Sequence, residues 1–422
     1  MGRSTVGTLL LWLFFVLSMR PDFRAKAKKE PPSEIEIEAK LKLLNKPALK
    51  TIKSEDGDII DCVDIYKQPA FDHPALKNHT IKMIPDFFRE SQNSSSKNGS
   101  QSKTFILQTW QKSGSCPKGT VPIRRILKED LLRAASLDRF GRKPPAVFKN
   151  STNSYNLNFP NFNATNKFIP ENRSAAYLVT MGYNYIGAEA DINTWTPKVD
   201  LPDDFTTAQI WLKANNGPVF ESVEAGWTVN PKLYGDMATR LFAYWTRDSY
   251  ESIGCFDLTC PGFVQVQRVL TLGTAITAIS SKFGRQFDLN VGMFWDDAGN
   301  WWLRVNKDMP IGYWPAEILG NLKHSAILVE WGGQVFSTKL KKETPHTGTG
   351  MGSGDFANGL MGEACYMNNV RIKDYSLSLK YPEFVSAMAD EPYCYNSLND
   401  VKYGVEPTFY FGGPGRRPPY CP

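Results

Sequence analysis

Two stretches of this sequence place an acid or an amide beside a glycine on one side of an apolar strand. Side chains alternate across a strand, so in Glu221-Ser-Val-Glu-Ala-Gly-Trp-Thr-Val229 the residues Val223, Ala225, Trp227 and Val229 share one face. Ser222, Glu224, Gly226 and Thr228 share the other. In Ile327-Leu-Val-Glu-Trp-Gly-Gly-Gln-Val-Phe-Ser337, Ile327, Val329, Trp331, Gly333 and Val335 form one face, and Glu330, Gly332 and Gln334 the other. Each glycine reads as cleared space beside a polar side chain. Taken alone, Glu224 reads as an ordinary solvent-facing glutamate on a half-buried strand. Two such strands on the concave face of one sheet could converge on a substrate. A carboxylate takes a proton from water and returns it to a leaving amine, while an amide donates to the developing oxyanion. Two carboxylates can divide the same work, because like charges raise one pKa, and such a pair works best in acid. Glu330 and Gln334 stand on one face, with four residues of strand separating their Cα atoms by roughly 13 Å.

Other chemistries lack their residues. No Gly-x-Ser-x-Gly elbow is present. Gly348-Thr-Gly-Met-Gly-Ser-Gly354 echoes a phosphate loop, but no Gly-Lys-Ser/Thr ends it, and it reads as a flexible surface loop. There is no Cys-x-x-Cys pair and the four histidines (73, 79, 324, 346) are dispersed, so neither zinc nor any cofactor is expected. The net charge of +6 is mild and the basic residues are scattered among acids, so a nucleic-acid partner is not expected.

The elements that must position these residues follow from punctuation and periodicity. At 422 residues the chain has room for one large domain and a smaller one. Residues 1–27 contain a short apolar run and read as a secretory signal peptide, with no membrane span once it is removed. Glu34 to Leu44 has helical spacing, and Ile59 to Ile65 follows a turn as a strand. Ser91 to Lys103 is a polar linker. Gly141-Arg-Lys-Pro-Pro145 and the Asn-rich stretch to Asn172 read as a second exposed connection suited to nicking, with Arg142-Lys143 one maturation site among several. From Ser174 onward short strands alternate with Gly, Pro, Asn and Asp turns. Phe263 to Leu272 and Phe287 to Trp295 alternate, and Asp296-Asp-Ala-Gly-Asn300 turns into Trp301 to Val305. The expected fold class is all-β, an antiparallel β-sandwich at 174–422. Before it come a smaller α+β unit at 34–90 and a connecting region at 91–173.

Sequons at Asn78, Asn93, Asn98, Asn150, Asn163 and Asn172 cluster in the first half, as in exposed loops of a secreted glycoprotein. Seven cysteines allow three disulfides and one leftover thiol. Cys255 and Cys260 enclose a short loop, Cys394 with Cys421 could tie down the tail, Cys62 could reach Cys116, and Cys365 is the odd one. Spacing alone leaves the connectivity open. Trp245, Trp295, Tyr313 and Trp314 are candidate cleft aromatics, although such residues are more often core.

The chain resembles the plant neprosin family. Asn45-Lys-Pro-Ala-Leu-Lys-Thr-Ile-Lys-Ser-Glu-Asp-Gly-Asp-Ile-Ile-Asp-Cys-Val63 and Gln68-Pro-Ala-Phe-Asp-His-Pro74 resemble the neprosin activation peptide, and Cys116-Pro-Lys-Gly-Thr-Val-Pro-Ile-Arg-Arg125 follows the family pattern. Later segments stand in the family's order: Glu224-Ala-Gly-Trp-Thr-Val-Asn-Pro231, Gly254-Cys-Phe-Asp-Leu-Thr-Cys-Pro-Gly-Phe-Val264, Gly312-Tyr-Trp-Pro315, Trp331-Gly-Gly-Gln-Val335, Met351-Gly-Ser-Gly354 and Phe411-Gly-Gly-Pro-Gly415. The resemblance implies a secreted glutamic peptidase made as a zymogen, a β-sandwich catalytic domain, cleavage at proline in protein or peptide substrates, and an inhibitory propeptide. It supports pairing Cys255 with Cys260 and Cys394 with Cys421. It places the first catalytic glutamate on Glu224 and the second on position 334, where this chain has Gln334. Fungal glutamic peptidases, similar to this family in mechanism, use a Glu/Gln pair, with their Gln before their Glu. The alternative is a catalytically weak or inactive sandwich that binds proline-rich or glycan polymers of the cell wall.

Overall fold

The computed structural model describes residues 31–86, 108–147, 170–215, 219–341 and 343–422, and the backbone alone of 157–159 and 162–164. The signal segment and the 91–103 linker lie outside the described residues, as do Asn93, Asn98 and Asn150.

The N-terminal unit opens with α1 (Glu34–Leu44). Its start is set by a capping box, in which Ser33 Oγ accepts from the backbone of Glu36 and the Glu36 carboxylate accepts from Ser33 N. Strands β1 (Ala48–Lys53) and β2 (Ile59–Asp64) form a hairpin, and β3 (Thr120–Arg124) pairs with the other edge of β2. A disulfide joins Cys62 of β2 to Cys116, beside the buried Ile52, Ile60 and Trp110. Helix α2 (Lys128–Arg133) follows, and β4 (Leu157–Phe159) pairs with β5 (Phe162–Ala164), the strand that holds Asn163.

The remaining strands build one large curled antiparallel system. In chain order they are β6 (Arg173–Asn193), β7 (Phe205–Ala214), β8 (Glu221–Val229), β9 (Arg240–Thr246) and β10 (Gly254–Phe256). Helix α3 (Pro231–Tyr234) lies between β8 and β9. Then come β11 (Val264–Gln265), β12 (Asp288–Trp295), β13 (Trp301–Val305), β14 (Met309–Trp314) and β15 (Ala326–Phe336). The last are β16 (Cys365–Asp374), β17 (Leu379–Lys380), β18 (Ser386–Ala389), β19 (Asn396–Asp400) and β20 (Thr408–Gly412).

The main path runs β10-β9-β8-β7-β15-β6-β12-β13-β14-β11. The 21-residue β6 is shared between the two layers. Its first half pairs with β15 and β18, its second with β12 and β16. Between the layers lies the core, made of alternate residues such as Ile210, Val223, Trp227, Met293, Leu303 and Trp331. The apolar faces read from the sequence at 223–229 and 327–335 are therefore the inward ones, apart from Ile327 itself, which packs with Leu328 in a separate cluster.

Phe263 to Leu272 departs from expectation. Only Val264–Gln265 is strand. Gln68 of the N-terminal unit takes the backbone bonds that a neighbouring strand would have made: its Oε1 accepts from Gln265 N at 2.7 Å and its Nε2 donates to Gln265 O at 3.0 Å. Nor is Gly348 to Gly354 a loose surface loop. Thr347, Thr349 and Met351 are buried, and both threonine hydroxyls donate to Asp204 Oδ2 at 2.6 Å. The structure pairs Cys255 with Cys260 and Cys394 with Cys421, and leaves Cys365 as a buried free thiol.

Candidate active site

The face of β8 opposite the core carries Ser222, Glu224 and Gly226. In register with it stand Lys213, Trp211 and Gln209 of β7, then Leu328, Glu330 and Gly332 of β15. Gln334 lies opposite Thr207. Glu224 and Gln334 thus share one face, as alternation requires, but the direct counterpart of Glu224 on β15 is Glu330. Gln334 sits one further step of four residues along, about 13 Å of strand.

Glu224 has no exposed surface, and four donors converge on its carboxylate. Ser222 Oγ and Tyr250 OH each donate to Oε1 at 2.7 Å, Gln209 Nε2 donates to Oε2 at 2.6 Å, and the Lys143 ammonium donates to the same Oε2. No hydrogen bond joins Glu224 to Gln334, whose Oε1 is buried without a partner among the described residues. Glu330 is engaged with Lys213 at 2.5 Å.

Lys143 overturns the expectation of an exposed, nickable connection at 141–145. Its side chain is fully buried, with its nitrogen 4.8 Å from the Tyr244 ring centroid, 5.2 Å from Tyr250, 5.7 Å from Phe256 and 5.8 Å from Phe242. An ammonium enclosed by ring faces and one carboxylate recovers part of its lost hydration. The backbone around it is pinned. Phe256 N donates to Gly141 O at 2.7 Å, Lys143 N to Tyr244 OH at 3.2 Å, and Arg139 Nη2 to Lys143 O at 2.8 Å. Arg173, itself buried, donates to the carbonyls of Pro144 and Pro145. Gly141 must be glycine, since φ is +73° and a Cβ would lie 2.0 Å from Thr259 Oγ1. Residues 141–147 therefore form a strap over Glu224. Beside it opens a cavity of about 170 Å³ whose walls include Arg142, Pro144, Phe205, Leu233 and Phe256.

The electrostatics follow from burial and pairing. Burial alone would push the Glu224 carboxyl up, but the charge of Lys143 and the bonds from Lys143, Tyr250 and Ser222 outweigh it and hold the group below the usual carboxylate range. Burial pushes Lys143 down to about 8 despite the carboxylate beside it.

The other sequence candidates lie elsewhere. Trp245 and Trp314 belong to the sandwich core and do not line this cleft. Tyr313 is covered by the N-terminal unit, its hydroxyl 2.8 Å from His79 Nε2 and accepting from Lys82 N at 3.0 Å. Trp295 bonds the Lys323 carbonyl. Asn78 is exposed, whereas the amide nitrogen of Asn172 is committed to Pro145 O at 2.9 Å. The glycines serve the sheet and clear no space for a ligand: a Cβ at Gly226 would lie 2.0 Å from Ala208 O, and one at Gly332 2.2 Å from Ala176 O. Among the described residues, the cluster of metal-ligand types His346, Cys394 and Cys421 has both its sulfurs consumed by a disulfide.

Comparison with known families matches residues 202–414, half of the chain, to the family described as Neprosin. The chain belongs to the Neprosin family. Residues 51–167 match the Neprosin activation peptide, so Lys143 is an activation-peptide residue and Glu224 a Neprosin-domain residue. Among solved structures, scytalido-glutamic peptidase with a peptide-based transition-state analogue is similar at 9% identity and TM-score 0.32, covering 57% of this chain and 97% of its own. SCP-B, a member of the Eqolisin family of peptidases in complex with the tripeptide Ala-Ile-His, matches at 8% identity and TM-score 0.30, with coverage of 57% and 97%. The β-porphyranase BpGH16B of Bacteroides plebeius matches at 8% and 0.21, covering 39% and 56%.

Sequence reading missed Lys143, Gln209 and Tyr250. The one signal available for Gln209 was its polarity within the apolar run Ala208-Gln-Ile-Trp-Leu212.

Proposed function

We propose that this Neprosin-family chain is the zymogen of a secreted glutamic peptidase that cleaves peptide bonds at proline in acid, with Glu224 as the proton-transferring group. The observation that carries the reading is the activation-peptide Lys143 seated on the Glu224 carboxylate in a closed cleft. A base paired with a buried ammonium and covered by a strap cannot reach water. Displacing the strap frees Oε2 while Ser222 and Tyr250 still orient the carboxylate through Oε1. Glu224 would then take a proton from water as its oxygen attacks the scissile carbonyl, and give that proton to the nitrogen as the C–N bond breaks. A side-chain amide on the same face would donate to the oxyanion. Gln334 stands at the family's second position and Gln209 stands against Glu224.

Specificity for proline is supported by the cleft's lining. Phe242, Tyr244, Tyr250 and Phe256 would offer ring faces once Lys143 leaves, and flat aromatic faces suit the rigid proline ring. Three disulfides support an oxidising, secretory destination. The test is to hold the full-length protein at acid pH with a proline-containing peptide and to map new termini by mass spectrometry, beside Glu224→Gln. Cleavage at proline that disappears in the variant supports the reading. No new termini from any form would leave a non-catalytic binding cleft.

A further inference from the structure

We infer that Gln209, and not Gln334, is the amide that completes the catalytic pair with Glu224, so that a glutamine at 334 leaves the chain an active peptidase. The inference rests on the peptidase reading above and assigns a residue within it.

Gln209 lies on β7, the strand between those of Glu224 and Gln334. Its register partners on both sides are glycines, Gly226 of β8 and Gly332 of β15, so no neighbouring side chain competes for the lane it occupies. The amide is fully buried. Nε2 donates to Glu224 Oε2, the oxygen that Lys143 also holds, and Oε1 has no partner among the described residues. When Lys143 departs, Oε2 keeps one amide hydrogen and gains an open position for water. The second hydrogen on Nε2 is then placed to donate beside that position. Gln334 is bonded neither to Glu224 nor to Gln209, and its own Oε1 is likewise unpartnered.

The step balances with water alone. The water oxygen bonds to the carbonyl carbon and its proton moves to Glu224 Oε2. The carbonyl oxygen, now anionic, accepts from Gln209 Nε2. As the C–N bond breaks, Glu224 returns the proton to the nitrogen and the carbonyl re-forms. Gln209 touches the reacting oxygen and never titrates.

The test compares acid-activated full-length wild type with Gln209→Ala, Gln209→Glu, Gln334→Ala and Gln334→Glu on one quenched proline peptide, with thermal unfolding as the folding control. Gln209→Ala should lower kcat by about 10²–10³-fold with little change in KM, the usual effect of losing one oxyanion donor. Gln334→Ala should stay within roughly threefold of wild type. Gln209→Glu must be protonated to donate, so its kcat should fall again as pH rises past its own pKa, turning a one-sided profile into a bell. A large loss in Gln334→Ala, with Gln209→Ala and Gln209→Glu like wild type, overturns the assignment. So does a silent wild type that gains activity in Gln334→Glu, although that outcome keeps the peptidase reading. Silence in all five proteins removes both.

Discussion

The Lys143 ammonium and the Glu224 carboxylate form an ion pair with no exposed surface on either side chain, across the junction of activation peptide and Neprosin domain. Removing one partner of such a pair strands the other charge in the interior, which typically costs about 3–5 kcal/mol. Lys143→Ala should therefore open the strap and give full-length protein that cleaves a proline peptide near neutral pH, where wild type is silent. Unchanged latency would assign the closed state to the Arg173 and Arg139 contacts instead.

Acid should open the same strap. The closed state holds Glu224 below its ordinary value of 4.5, so its support for docking is complete above that value and is lost as the pH falls through the lowered one. Lys143, pushed down to about 8, is charged throughout that range and does not offset the loss. Hydrogen exchange of residues 141–147, followed from pH 7 to pH 3, should rise steeply at the acid end; exchange independent of pH would contradict the pair's role as latch.

Glu224→Gln keeps the side chain's shape but offers Lys143 a neutral amide. It should lose about 10²–10⁴-fold in cleavage rate, the range for a general acid–base group. It should also release the strap at neutral pH, visible as faster exchange of the same residues. A variant that stays closed would reject the electrostatic latch.

Asp257 gives a stability signature of opposite sign. Burial raises its carboxyl to about 7, with Tyr234 OH and Ala243 N donating to it. The folded state then binds a proton that the unfolded chain releases, so stability falls as pH climbs from about 4 to 7. Asp257→Asn should lessen that decline, and melting temperatures of the two proteins at pH 4 and pH 7 measure the difference.

The activation unit docks at a second site, where Asp58, held by Arg124 of the same unit at 3.0 Å, meets Arg240 of the Neprosin domain at 2.6 Å. Asp58 and Arg240 are both buried. Asp58→Ala leaves Arg240 with Asp236, the Gly273 carbonyl and the Tyr234 ring, and should weaken docking by less than the about 3–5 kcal/mol of a fully stranded buried charge. Limited proteolysis of residues 45–64 at neutral pH should then run faster than in wild type.

Much of this was legible from local pattern. The faces of 221–229 and 327–337 follow from the two-residue period, the helix at Glu34 from its helical spacing, and the hairpin at 296–300 from its turn residues. Where expectation failed, the cause was a partner distant in sequence. Gln68 replaced strand pairing at Gln265, and Asp204 drew Thr347 and Thr349 inward. Gly226 and Gly332 looked like room for a ligand because a sequence does not show how close the neighbouring backbone lies.

By itself the sequence determined that Glu224 and Gln334 each point away from the apolar face of their own strand, because alternation is a property of the strand alone. It also carried the family, through motifs that are local strings. Tertiary structure alone decided what meets Glu224. Register sets Gln209 between Gly226 and Gly332, and chain path brings Lys143 from 81 residues away into a box of four rings. Both depend on contacts between distant segments, where the burial of one charge is tolerated only because another arrives with it.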